Sequence, residues 1–262
     1  RSSQYQSNKT DTTTMAHILH ARARLKDDKA IGPKRLIPRM VKNLTWISLR
    51  RVLQSFRGLY SRNLGMPMSW QQIVVVLMPR KSQIEDLTQT RALCLINTFA
   101  KWYMMTLLIL AEEDFEAKGH ALNLFGFRKH RKVHEITAGL KQVVRHSIEW
   151  GKYESLHLGL ADVKHAFETM TFERAASSME RVGIQAKRRL AILSCLIDNH
   201  GVVNFQDTTS EDIKWDTMIR TGGTEGPFLW NCETVSMWDE VVQSWQEKGM
   251  GYSLEPSYTL ER

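Results

Sequence analysis

The stretch Leu156-His157-Leu158-Gly159-Leu160-Ala161-Asp162-Val163-Lys164-His165-Ala166-Phe167-Glu168-Thr169 decides how this chain is read. Its first half carries Leu156, Leu158, Leu160 and Ala161, the length and composition of a buried strand. The strand would deliver one carboxylate, Asp162, at its end. There the backbone is held by its neighbours, and an acidic side chain can meet a metal ion with little reorganisation. Taken alone, an Asp before a turn reads more readily as a solvated carboxylate, so the sequence on either side must decide.

The chain has 262 residues, long enough to bury a sizeable core as one large or two modest domains. Its 42% apolar share, with 8 Trp and 12 Met, argues for a folded protein rather than a disordered one. A net charge of +8 and a pI near 9.4 fit a polyanionic partner, since clustered Lys and Arg gain affinity by releasing phosphate counterions. A basic but inert surface is the alternative from charge alone. The three cysteines, Cys94, Cys195 and Cys232, lie in apolar contexts without paired spacing and read as core thiols of a reducing compartment. No apolar run reaches the roughly 20 residues of a membrane helix, and the polar start shows no signal peptide, so an intracellular location, nucleus or cytoplasm, is expected. The absence of an initiator Met and the abrupt end at Arg262 suggest a piece of a longer protein.

Three further stretches carry chemistry. The β-branched run Ile73-Val74-Val75-Val76-Leu77-Met78 has strand length and is stopped by Pro79, which lacks a ladder donor. Arg80 and Lys81 follow, then a polar turn, then a second apolar run opening at Arg91. Two antiparallel strands with cations on their connecting ends can fold over a triphosphate, although an ordinary basic hairpin has the same pattern. Leu124-Phe125-Gly126-Phe127-Arg128-Lys129-His130-Arg131-Lys132 joins aromatics to dense cations, a combination that stacks on bases and holds a phosphate backbone. Gly222-Gly223-Thr224-Glu225-Gly226-Pro227 gives glycines that let the backbone approach a ligand closely. Around these, periodicity predicts helices over 15–29, 37–60, 99–115, 136–149 and 229–246. The helix over 136–149 should turn Leu140, Val143, Val144 and Ile148 inward. Thr171 is a predicted N-cap, and Gly183 closes the helix it opens. Residues 202–205 and 214–220 are expected to pair as strands.

The run Asp162-Val163-Lys164-His165-Ala166-Phe167-Glu168 resembles motif A of reverse transcriptases of the non-LTR retrotransposon (LINE-type) and group II intron kind, with Glu168 where another Asp is usual. The basic hairpin is similar to motifs 1 and 2, with Ala92 replacing a usual Pro, and residues 124–128 are similar to the Gln-x-Gly-Phe-Arg signature, with Leu124 for Gln. The glycine stretch resembles motif B, where Gly-x-x-Gln-Gly is usual and Glu225 stands for Gln. The motifs come in the family's order from about Ile31 onward.

The resemblance implies an α+β fold of the right-hand polymerase kind. A flexible lead-in and helix would cover residues 1–30 and helical and hairpin fingers 31–150. A partial palm with an antiparallel sheet and packed helices would cover 151–262. It implies RNA-directed DNA polymerase activity by two-metal nucleotidyl transfer. Asp162 and the Val163 carbonyl would hold Mg²⁺. Arg80, Lys81 and Arg91 would meet the triphosphate, with Ala166, Phe167, Gly222, Glu225 and Gly226 around the nucleotide. Phe167 would exclude a 2′-hydroxyl, and Phe127, Arg128, Lys129 and Arg131 would line the template path. The implied partners are an RNA template, a DNA primer and deoxynucleoside triphosphates, with no membrane. The carboxylate pair of motif C is expected past Arg262, so these residues alone are not expected to polymerise. The alternative is a degenerate, non-catalytic, reverse-transcriptase-like nucleic-acid-binding protein.

Overall fold

The computed structural model describes residues 12–27, 32–33, 36–80, 86, 89–118, 124–128, 131–149, 156–160, 162–163, 166–167, 169–205, 208–214 and 219–250. Helices α1 (Met15–Arg24), α2 (Pro38–Lys42), α3 (Trp46–Ser61) and α4 (Met68–Gln71) lead into strands β1 (Gln72–Pro79) and β2 (Thr90–Ile96). Then come α5 (Thr98–Ala117), α6 (Val133–Glu149), α7 (Phe172–Arg181) and α8 (Ala186–Ser194). Strands β3 (His200–Phe205), β4 (Thr208–Thr209) and β5 (Ile213–Lys214) precede the long helix α9 (Gly226–Glu247). The mixture of helices and one sheet agrees with the α+β expectation.

The strand β1 lies at the centre of the sheet. It pairs antiparallel with β2, from Ile73 opposite Ile96 to Pro79 opposite Thr90, and parallel with β3, from Gln72 opposite His200 to Val76 opposite Asn204. The sheet is therefore mixed rather than antiparallel, and it joins strands from both halves of the chain. Burial along a central strand favours a nearly continuous run of branched side chains, which Ile73 to Val76 supply. Gly201 permits the parallel contact, because a Cβ there would stand 1.9 Å from the Ile73 carbonyl oxygen.

The core is helical. Residues of α5 are buried on nearly every side, as expected of a helix apolar all round, and it packs on α1 and α8 while α7 packs on α9. Trp102 donates its indole N–H to the Ile18 carbonyl at 2.7 Å, and Phe56, Trp70, Phe99, Trp102 and Tyr103 form one aromatic cluster tying α3 and α4 to α5. Thr171 caps α7 by accepting from the Arg174 amide, and Gly183 follows it at φ +79, as the sequence predicts.

Four expectations change. The single helix over 37–60 is two helices, because the Thr45 hydroxyl accepts from the Ser48 amide and starts α3 afresh. The apolar stripe of α6 is not inward: Leu140 and Ile148 are exposed, and His146 and Ser147 are its buried residues. Helix α8 ends at Ser194, whereas the spacing of Leu190, Leu193, Leu196 and Ile197 predicts a helix that runs to near Gly201. Residues 156–160 form no strand, and Leu158 and Leu160 are exposed. A strand requires a partner for its amides and carbonyls, and no described strand pairs with this segment.

Gly201→Ala is expected to lower the stability of unfolding by about 2–4 kcal/mol, because the sheet must open at Ile73. Gly58→Ala, at a helical site where a Cβ meets nothing within 4 Å, should raise it by about 0.5–1 kcal/mol. Urea titration of both variants checks the pair, and a neutral Gly201→Ala would contradict the β1–β3 register.

Candidate nucleic-acid interface

The basic hairpin forms as its sequence dictates. Arg80 and Arg91 are exposed at its connecting end, where the Arg80 amide donates to the Gln89 carbonyl at 2.9 Å. Lys81 lies outside the described residues, as does Lys129.

The glycine stretch docks on the outer edge of β2. The Cys94 amide donates to the Thr221 carbonyl at 2.7 Å, and the Gly223 amide donates to the Arg220 carbonyl at 2.7 Å, closing a tight turn. Gly222 sits at φ +99, and a Cβ there would be 3.1 Å from the Cys94 carbonyl oxygen, so both conformation and proximity favour glycine. Phe167, from the stretch that resembles motif A, reaches the same place. The Phe167 ring lies 3.7 Å from where a Gly226 Cβ would stand, and it packs edge-on against Trp230 with centroids 6.5 Å apart. Ala166 is half-buried beside it in the chain, whereas Asp162 and Val163 are exposed.

Glu225 takes a different position from an open ligand contact. It is fully buried, and its Oε1 accepts from Arg220 Nε at 2.9 Å. The Asp162 carboxylate and the Val163 carbonyl would together give two oxygens, whereas magnesium takes six. Among the described residues no three His, Cys, Asp or Glu side chains gather to hold a metal ion. Asp162 and the Val163 carbonyl would need further ligands to hold a metal ion.

A groove runs from the glycine turn to the aromatic-cation stretch. One cavity of about 390 Å³ lies among β2, α5, the end of α1 and the turn, and a second of about 790 Å³ extends to Phe127, Arg128 and the start of α9. Arg24, Met105 and Thr224 line both. Phe127 is 70% exposed at φ +55, a left-handed conformation uncommon outside glycine, and Asn231 donates to the preceding Gly126 carbonyl at 3.2 Å. Arg128 pairs with Glu116 at 2.5 Å, and Arg131 lies over the Phe125 ring at 5.3 Å. The groove wall is mixed in charge, since Arg24 forms a two-pronged pair with Glu112 at 3.0 and 3.1 Å. An exposed aromatic beside paired arginines offers stacking and backbone contacts to a single strand.

Sequence reading missed Arg24 and Lys26 on the groove wall and the Arg220 partner of Glu225. Arg24 and Lys26 carry no motif, and only the fold sets them across from the glycine turn. Arg220 had a faint signal, an arginine five residues before an acid. Among the described residues no helix is long and apolar enough to cross a membrane. Compared with known proteins, the chain matches no family model, and no curated protein is significantly similar to it.

The three cysteines are free and buried, as expected of core thiols. Burial pushes the Cys94 and Cys195 thiols from 9.0 up to about 12. Between these values the unfolded chain releases thiol protons that the folded chain keeps, so their contribution is complete below pH 9 and is lost as pH rises toward 12. The urea midpoint should therefore fall between about pH 9 and 11, and Cys195→Ala should flatten that fall. An identical slope in the variant would contradict the buried-thiol account.

Proposed function

We propose that the chain is part of a reverse transcriptase of the non-LTR or group II intron kind, in which fingers and palm residues grip a template and an incoming nucleotide. One observation carries this reading: Thr221, directly before the glycine stretch resembling motif B, is hydrogen-bonded to the second strand of the basic hairpin, and Phe167 of the stretch resembling motif A lies against Gly226. Three segments far apart in sequence, around Cys94, Phe167 and Gly226, meet at one place in the family's order, which an unrelated basic protein would have no reason to arrange. Arg80 and Arg91 then stand at the hairpin end for a triphosphate, and the groove from Thr224 to Phe127 accommodates single-stranded template.

In the full-length parent the reaction would be two-metal transfer of a deoxynucleotide to a DNA primer on an RNA template. Asp162 would act together with carboxylates of a motif C segment. The same segment would supply a strand partner for residues 156–160, whose exposed Leu158 and Leu160 lack one among the described residues. The burial of Glu225 favours a second reading, a nucleic-acid-binding relative that no longer polymerises, because the residue in the usual Gln position is occupied by an ion pair.

One measurement tests the binding that both readings share, and a second separates them. The chain should bind single-stranded RNA with an affinity that falls steeply with salt, and Arg128→Ala with Arg131→Ala should weaken it about tenfold. In the full-length parent, primer extension should vanish on Asp162→Ala while RNA binding persists. Equal incorporation by both proteins would remove Asp162 from the chemistry, and binding without any incorporation by the unmutated parent would favour the second reading.

A further inference from the structure

Arg220 and Glu225 are each 1% exposed, a placement charged side chains adopt only when paired. Their surroundings explain what the pair is attached to. The Arg220 carbonyl accepts the Gly223 amide that closes the glycine turn, and its guanidinium reaches both Glu225 Oε1 and Asn199 Oδ1, each at 2.9 Å. Asn199 in turn donates to the Leu196 carbonyl at 2.7 Å, which anchors the group to the segment between α8 and β3. The Glu225 carboxylate lies directly under Gly223, where a Cβ would stand 2.3 Å from Oε1. Thr221, between the paired residues, accepts from the Cys94 amide of β2. Glu225 Oε2 has no hydrogen-bonding partner among the described residues, so Arg220 carries the neutralisation of this carboxylate.

We propose that Arg220 and Glu225 form an internal clamp that holds the glycine turn on the edge of β2, making Glu225 a positioning residue for the strand bound in the groove rather than a contact to the nucleotide. This rests on the proposed nucleic-acid function only for the identity of the bound strand. The Glu225 carboxylate needs Arg220, and Arg220 needs a buried acid: either charge alone is left uncompensated in the interior. Removing both together leaves amides that still hydrogen-bond but no longer draw the two ends of the turn together.

The test compares the whole chain with Glu225→Gln, Arg220→Gln and the double variant, reading thermal unfolding, amide hydrogen exchange at Cys94 and Gly223, and affinity for a fluorescent single-stranded RNA. The expected result is that each single variant unfolds at a lower temperature than the double, or fails to fold where the double folds. In the folded double variant, exchange at the Cys94 and Gly223 amides should rise at least tenfold while that at the β1–β2 amides of Val76 and Leu93 stays unchanged, and RNA affinity should fall at least threefold. A double variant no more stable than the singles, or one with wild-type exchange at Cys94, overturns the clamp. Absence of RNA binding by every protein, wild type included, overturns the nucleic-acid reading of the groove, and with it the positioning role. The exchange pattern still decides whether the clamp exists.

Discussion

The structure depends on one close approach, that of Gly201 to the Ile73 carbonyl where β3 runs parallel to β1. A parallel pair cannot be closed by a short turn, so the chain must travel through α5, α6, α7 and α8 before it returns. That return gives β1 a neighbour on each side. It also fixes where residues 219–226 emerge, which brings the glycine turn to the free edge of β2. The hairpin, the turn and the aromatic at position 167 are neighbours because this ladder sets their spacing.

Much of this arrangement was legible locally. The branched run before Pro79, the Thr171 cap with Gly183 and the pattern of α9 are each fixed by residues within a few positions of one another, and they formed where expected. The parallel β1–β3 pairing was not legible, because Val74 and Val202 carry no signal that names their partner 128 residues away. The break at Thr45 was missed because apolar periodicity continues across it, while one hydroxyl favours a new N-terminus.

The site divides in the same way. Cations and glycines announce themselves by type, and Arg80, Arg91, Phe127 and Gly222 are exposed as their proposed roles require. Glu225 could not be placed from sequence, since whether a carboxylate faces a ligand or an arginine depends on burial. Leu156 to Leu160 teach the complementary lesson: alternating apolar residues specify a strand only when another strand is there to pair with it.

The central claim is that the hairpin edge, the glycine turn and the Phe127 loop form one continuous surface for single-stranded nucleic acid. Ultraviolet crosslinking of a short RNA to the chain, with the modified peptides located by mass spectrometry, tests it most directly. The account predicts crosslinks at Phe127 and also in residues 90–96 or 219–226, all suppressed together at high salt. Crosslinks confined to α3 and the N-terminal basic residues, with none at the groove, would contradict it.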